Sequence, residues 1–182
     1  MSPQQKKSFD LQPELCGKLL KLRPLRAADY DDLYSVAADK LIWQQHPVKN
    51  RYEERVFRAF FEESLASGGA LAVIERKSSD IIGSSRFFFY NGEEIEIGWT
   101  FLARPYWGGR YNGELKQLML QHAFEFVDTV ILLAGLENIR SQRAIEKIGG
   151  KRIEKKADAS GHESYLYRIT RVKFNARHAT GV

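Results

Sequence analysis

The stretch from Tyr106 to Glu114, YWGGRYNGE, has the composition of an anion-binding turn. It joins a strand-like run to a helix-like run, and Gly108, Gly109 and Gly113 let the backbone approach an oxyanion without an obstructing Cβ. The first N–H groups of a helix lack partners within it, and the helix dipole adds positive potential there. Arg110 would add a forked, charge-assisted hydrogen bond to a phosphate. The alternative is an ordinary strand-to-helix loop, because the stretch is neither a Walker A sequence nor a dinucleotide-binding fingerprint.

The composition argues against several other kinds of site. The chain has 182 residues, a net charge of +5, one cysteine and four histidines. No metal site is expected, because one cysteine and widely spaced histidines cannot supply a ligand set. The basic residues alternate with acidic ones, so DNA is not an expected partner. A signal peptide and a membrane-spanning run are not expected, so the predicted location is cytoplasmic.

The spacing of apolar residues predicts one mixed α/β domain over residues 18–172, after a loose segment 1–17 and before a tail 173–182. The predicted element order is β-α-α-β-β-β-α-β-α-β-β. The predicted strands cover 18–25, 70–76, 81–90, 93–102, 130–135, 150–156 and 163–171, and the predicted helices cover 26–39, 51–69, 114–127 and 138–149. The turn at 106–113 therefore joins the fourth strand to the third helix.

Three segments together resemble the GNAT N-acetyltransferases. They are LKLRPLRAADYDDLY near the start, EIGWTFLARPYWGGRYNGELKQLML in the centre and NIRSQRAIEKIGG at 138–150. The central segment is most similar to the branch that acetylates the N-termini of ribosomal proteins. Two positions depart from the pattern, since Arg110 stands where a central glycine is usual and Ile145 stands where many members have a tyrosine that protonates the departing thiolate.

The resemblance implies a GNAT fold with a central mixed, mostly antiparallel twisted sheet flanked by helices. It also implies that acetyl-CoA is the cofactor and that the turn holds its pyrophosphate. The residues expected to bind the cofactor are Phe101, Leu102, Trp107, Gly108, Gly109, Arg110, Tyr111, Asn112, Gly113 and Asn138. A backbone N–H near Phe101 would stabilise the developing oxyanion, which requires the strand to separate from its neighbour.

Acetylation of an amine requires a base, because an aliphatic ammonium has a pKa of about 10 and cannot attack while protonated. Glu96 matches the glutamate of the family's strand and is the predicted base. The alternative is plain alternation, in which Glu94, Glu96 and Thr100 form a wet strand face. Ser141 is the predicted proton donor to the thiolate. The alternative for its helix is that Asn138 only caps the N-terminus.

The sequence therefore predicts an acetyl-CoA-dependent N-acetyltransferase that acts on a primary amine, either a protein N-terminus or a small amine. Trp43 and Arg86 are expected in the acceptor pocket, on the side of the first two helices. The expected partners are acetyl-CoA and the amine acceptor, and homodimerisation is left open. The alternatives are a GNAT fold that uses another acyl-CoA, a non-catalytic CoA-binding or regulatory module, and a basic RNA-associated protein.

Overall fold

An eight-stranded sheet forms the centre of the computed structural model, which describes residues 8–88 and 90–179. The strands lie in the order β1-β2-β3-β4-β5-β6-β8-β7. Their bounds are β1 Leu15–Cys16, β2 Leu20–Pro24, β3 Ala70–Glu75, β4 Ile81–Phe88, β5 Glu94–Leu102, β6 Thr129–Gly135, β7 Lys151–Ala157 and β8 Glu163–Thr170. Neighbours in this sheet are antiparallel, except that β5 and β6 are parallel. The expectation of a mixed, mostly antiparallel sheet is confirmed.

Helices cover both faces of the sheet. One face carries α1 (Tyr30–Ala37), α2 (Lys40–Trp43) and α3 (Glu54–Ala66), and the other carries α4 (Arg110–Ala123), α5 (Ile139–Lys147) and α6 (Arg171–Ala179). The predicted order of elements is present, with β1, α2 and α6 in addition. Within the described part of the chain, no helix is long and apolar enough to cross a membrane.

Two apolar cores lie on the two sides of the sheet. Under α1–α3, the aromatic residues Phe57, Phe60 and Phe61 of α3 pack with Trp43 and Phe101. On the other side, residues of α4, α5 and α6 pack against the sheet, among them Leu115, Met119, Ile145 and Phe174. Each helix therefore has one apolar stripe, as helical spacing predicts, and the sheet separates two compartments.

A β-bulge in β5 changes the direction of its side chains. Ser84 lies opposite Phe101 and Arg86 lies opposite Gly98, so β5 has one residue more than β4 between these pairs. Trp99, within the bulge, has a φ of 49°. Without the bulge, Phe101 would face α4 as Ile97 does, because side chains alternate along a strand. With it, Phe101 packs under α1–α3 instead.

The segment 8–17 is packed on the domain, so the expectation of a loose N-terminus is wrong for these residues. The Phe9 ring contacts the rings of Phe87 and His122, with centroids 5.3 Å away in both cases. His122 Nε2 donates a hydrogen bond of 2.7 Å to the carbonyl oxygen of Asp10. The sequence did not predict this packing, because Phe9 is a single aromatic residue in a polar run. Residues 1–7 lie outside the described part of the chain.

The C-terminal tail expected from residue 173 is instead part of α6 as far as Ala179. Phe174 is buried, and its ring lies 5.1 Å from that of Phe124. This contact packs α6 against the end of α4. The sequence did not predict a helix here, because Phe174 stands among charged and polar residues. Residues 180–182, and Phe89 in the predicted strand 81–90, lie outside the described residues.

Candidate functional site

A cavity of about 530 Å³ opens where β5 and β6 separate. The two strands are paired only from Glu94 to Glu96 on β5 and from Thr129 to Ile131 on β6. Beyond these residues β5 continues to Leu102 and β6 to Gly135 without pairing to each other. The expected separation is therefore present, and the first turns of α4 and α5 border it.

The cavity extends across the plane of the sheet. Leu102 and Lys116 line it on the side of α4, while Ile42, Trp43 and His46 line it on the side of α2. A group held at the α4 side and a group entering from the α2 side could therefore meet within the gap.

The glycine turn forms the entrance to α4, which begins at Arg110, four residues earlier than the sequence predicts. Gly108 has a φ of 88° and Gly109 a φ of 150°, and neither would bring an added Cβ within 4 Å of another atom. Gly109 is the N-cap and offers no side-chain acceptor to the first amides of the helix. The turn thus presents free N–H donors beside the cavity, and this arrangement fits a pyrophosphate.

Positive side chains at this end of the cavity come from α5 rather than from the turn. Arg140, Arg143 and Lys147 line the cavity. The Arg140 guanidinium lies over the Trp107 ring at 3.9 Å and donates to the carbonyl oxygen of Ile42 at 2.9 Å. Arg140 therefore holds Trp107 and α2 together at the wall of the cavity. Arg143 and Lys147 also line the cavity and could contact phosphate groups.

Two residues expected in the cofactor site lie outside the cavity. The Arg110 side chain is exposed at the start of α4 and does not line the cavity, so its contact with a phosphate stays a prediction. Tyr111 packs its ring against that of Tyr106 at 4.8 Å. Both differences follow from the early start of α4, because side chains in its first turn radiate in different directions.

The remaining expected cofactor residues line the cavity. They are Phe101, Leu102, Trp107, Gly108, Gly109, Asn112, Gly113 and Asn138. The predicted proton donor, Ser141, also lines it. Asn138 is the N-cap of α5, and its Oδ1 accepts a hydrogen bond of 3.1 Å from the Ser141 N–H. Asn138 thus caps α5 and also lines the cavity.

Glu96 lies on the face of β5 opposite Ile95 and Ile97; it does not line the cavity itself, but its carboxylate is close to Gly98, which does. Burial raises the pKa of Glu96 to about 7, although the nearby charges of Lys156 and Arg86 lower it. Thr100 does not share this face, because the bulge directs it toward Lys116 of α4, so the wet-face alternative is reduced to Glu94 and Glu96, which are both partly exposed. A carboxylate with a pKa near neutrality can accept a proton and release it again at physiological pH.

The two expected acceptor residues differ in their surroundings. Arg86 is 2% exposed, its Nη2 donates to Ser64 Oγ at 2.7 Å, and its guanidinium lies 4.4 Å from the Trp99 ring. These contacts make Arg86 a support for the pocket rather than part of its lining. Trp43 lines the cavity, and its Nε1 donates to the carbonyl oxygen of Ala37 at 2.7 Å.

His46 also lines the cavity beside Trp43 but is unsuited to proton transfer. Burial and, to a smaller extent, the charge of Arg51 lower the pKa of His46 to about 3. Its Nδ1 accepts a hydrogen bond of 2.9 Å from the Val48 N–H. The imidazole is therefore neutral at physiological pH and shapes the wall.

Lys116, like Arg143 and Lys147, lines the cavity but was not predicted from the sequence. It lies on α4, is 6% exposed, and its Nζ donates a hydrogen bond of 2.6 Å to Thr100 Oγ1. Burial lowers the pKa of Lys116 to about 7. A signal was available, because Lys116 falls on the apolar stripe of its helix with Met119, Leu120 and Ala123.

Comparison with known proteins identifies related domains. Residues 20–151 match the family model of an acetyltransferase (GNAT) domain. No curated protein is significantly similar to the chain. The fold resembles the acetyltransferase (GNAT family) from Bacillus anthracis, with a TM-score of 0.73 and 21% identity over 87% of this chain and 98% of that one.

Two further structures share the fold. A GCN5-related N-acetyltransferase from Brucella melitensis has a TM-score of 0.80 and 17% identity over 98% of this chain and 88% of that one. Mycobacterium smegmatis RimJ in complex with CoA-disulfide has a TM-score of 0.67 and 15% identity over 89% of each chain. At these identities the two structures bear on the fold alone.

Proposed function

Because the chain belongs to the GNAT acetyltransferase family, we propose that it transfers an acetyl group to a primary amine. GNAT acetyltransferases use acetyl-CoA, whose thioester supplies the acetyl group. The observation that carries the proposal is the gap between β5 and β6, which gives one cavity with a lining on both sides of the sheet. Cofactor and acceptor can therefore reach the same strand from opposite sides.

The chain supplies three kinds of contact for the cofactor. The amides of the turn at Gly108 and Gly109 and of the first turn of α4 would bind the pyrophosphate. Arg143 and Lys147 would neutralise phosphate charge at the same end. The unpaired edge of β5, from Ile97 onward, would bind the polar groups of the pantetheine arm.

We assign the general base to Glu96, directly or through a water molecule. Its pKa of about 7 leaves it ionised in a large fraction of molecules near neutral pH. An aliphatic ammonium has a pKa of about 10, so loss of its proton is the first requirement for attack. Arg86 stacks on Trp99 beside this carboxylate and holds the pocket wall in place.

The proposed acceptor is a protein N-terminus or a small primary amine. The likeness of YWGGRYNGE to the ribosomal-protein N-terminal acetyltransferases supports the first, and the fold shared with RimJ is compatible with it. A cytoplasmic location and a homodimer are further parts of the proposal, and light scattering of the purified protein tests the latter.

The direct test measures thiol release from acetyl-CoA in the presence of candidate acceptors. The panel comprises short peptides with free N-termini, the same peptides with blocked N-termini, polyamines and aminoglycosides. We expect turnover with at least one free amine, and blocking that amine should abolish it. Binding of acetyl-CoA without turnover of any amine would instead favour a non-catalytic CoA-binding module, the alternative suggested by Ile145 at the family's tyrosine position.

A further inference from the structure

Lys116 is a buried amine in a cavity that is expected to hold a thioester, and among residues 8–88 and 90–179 it has no carboxylate partner. Its hydrogen-bond acceptor is the Thr100 hydroxyl, which is in turn 2.7 Å from Ser85 Oγ. Thr100 belongs to the bulged part of β5 and also lines the cavity. The bulge therefore aims a hydroxyl at the lysine and holds the amine beside the unpaired edge of β5.

A buried lysine is costly unless something offsets the loss of hydration. An apolar residue would fit the stripe of Met119, Leu120 and Ala123 without that cost, so packing gives no reason for an amine here. The other charged or titratable side chains that line the cavity are His46, Arg140, Arg143 and Lys147. All are neutral or cationic, so within the described lining no carboxylate neutralises Lys116.

We propose that Lys116 is a catalytic residue that gives a proton to the sulfur of CoA as the acetyl group leaves. This inference rests on the acetyl transfer proposed above. Lys116 can supply both a positive charge and a transferable proton where negative charge develops on sulfur. A thiol has an ordinary pKa of about 8.5. Since burial lowers the pKa of Lys116 to about 7, transfer from its ammonium to a thiolate is favourable.

The protons balance in this scheme. The acceptor ammonium loses two protons in becoming an amide. When the C–S bond breaks, its electron pair stays on sulfur, and one proton passes from Lys116 Nζ to that sulfur. Glu96 accepts the two protons of the acceptor in turn and releases each to water, and one proton returns from water to Lys116. The net result is an acetylated amine, a free thiol and one proton released.

Ser141 is the competing donor, because it lines the same cavity from α5. A serine hydroxyl carries no positive charge, so its presence would not favour ionisation of a nearby thiol as an ammonium does. The two candidates therefore differ in their effect on the pKa of bound CoA thiol. This quantity is measurable without turnover.

The experiment titrates the thiol of bound CoA by the ultraviolet absorbance of its thiolate, in the parent, Lys116→Met and Ser141→Ala. Spectra of the CoA-free proteins are subtracted, because the exposed Cys16 thiol also absorbs. Methionine keeps the length and fits the apolar stripe, so Lys116→Met is expected to fold. Lys147→Met is the matched control, since it removes a cation from the same cavity but not the one beside Thr100.

We expect Lys116→Met to raise the pKa of the bound thiol by about 1 unit, with little change in Ser141→Ala or Lys147→Met. Acetyl transfer at pH 7 should fall about 100-fold in Lys116→Met, the low end for loss of a general acid. An unchanged thiol pKa in Lys116→Met that still binds CoA would overturn the assignment, as would an equal rise in Ser141→Ala. Failure of the parent to bind CoA would instead refute the proposed function itself.

Discussion

At the scale of single residues, β5 connects the two proposed proton-transfer groups, because Glu96 belongs to this strand and Lys116 is hydrogen-bonded to Thr100 on it. Glu96 lies on the side of β5 opposite Ile95 and Ile97, and Lys116 contacts Thr100 from the side of α4. Burial has opposite effects on the two, raising the pKa of the acid and lowering that of the amine, because both charged forms lose hydration. Both groups therefore have a pKa of about 7, so each can gain or lose a proton near neutral pH at a small cost in free energy.

Glu96→Gln should lower turnover at neutral pH and leave CoA affinity close to that of the parent. Glutamine keeps the shape but cannot accept the proton, so a loss of about 100- to 10,000-fold is expected. In the parent, kcat should rise with pH toward about 7, since the base must be ionised, and should fall above it as Lys116 loses its proton. The rise should be absent from the pH profile of the variant.

Glu94→Gln is the matched control, because Glu94 lies two residues earlier on β5 and faces Arg168 at 3.8 Å. Its kcat and pH profile should follow the parent. Equal activity of Glu96→Gln and parent at pH 7 would return Glu96 to the class of strand-surface carboxylates.

Asn138→Asp separates capping from cofactor binding. Aspartate caps as well as asparagine, so the melting temperature should hold. A carboxylate has no N–H to donate, so CoA affinity should fall if the Asn138 side chain binds the pantetheine arm. Melting temperature and CoA affinity should be measured on one sample. Asn138→Ala provides the contrast, with a loss of about 0.5–2 kcal/mol from the missing cap. Normal CoA affinity in Asn138→Asp would remove the residue from the site.

At the scale of elements, the turn before α4 shows what a sequence pattern can and cannot predict. The glycines and the strand-to-helix order predicted an anion site, and the free amides beside the cavity agree with it. The pattern did not predict where the helix begins. That depended on Gly109 adopting a φ of 150°, and the side-chain directions of Arg110 and Tyr111 changed with it. The cations of α5 line the cavity instead, and spacing along the chain does not reveal this approach of distant segments.

Gly109→Ala and Gly113→Ala should have opposite effects on stability. A Cβ at Gly109 strains a backbone with positive φ, so the variant should lose about 1–3 kcal/mol. Gly113 lies inside α4, where alanine is the better helix former, so that variant should gain about 0.5–1 kcal/mol. Both should bind CoA more weakly, because both glycines line the cavity. Denaturant unfolding and CoA titration test this, and stabilisation by Gly109→Ala would contradict the strained-turn interpretation.

At the scale of the whole molecule, the sheet consists of two antiparallel parts joined by the short parallel contact of β5 and β6. The strands were predictable because apolar alternation and apolar runs are local properties. The bulge was not, since it arises from unequal numbers of residues on β4 and β5. The hydrogen bond between Lys116 and Thr100 depends on the bulge, and the packing of segment 8–17 depends on contacts of Phe9 and Asp10 with residues far along the chain. Most of the features that could not be predicted from the sequence depend on contacts of this long-range kind.

Saturating CoA should stabilise the protein, because it would contact both parts of the sheet. At 100 times Kd the gain is about 2.7 kcal/mol. For a chain of this size that corresponds to a rise of about 5–10 °C in melting temperature. A thermal scan with and without CoA measures it. Arg143→Ala combined with Lys147→Ala is the control, and should show a smaller rise at the same CoA concentration. No rise in the parent would count against CoA as the ligand of this cavity.

The gap between β5 and β6 also bears on how the protein behaves in concentrated solution. Beyond Glu96 and Ile131, the facing sides of the two strands have the character of sheet edges within the molecule. Unpaired edges act as templates for strands of other chains and so promote aggregation. We therefore expect the CoA-free protein to become turbid on mild heating sooner than the CoA-bound protein, and its turbidity to depend steeply on protein concentration. A ligand bound in the gap would then slow aggregation of the protein in addition to its role in the reaction.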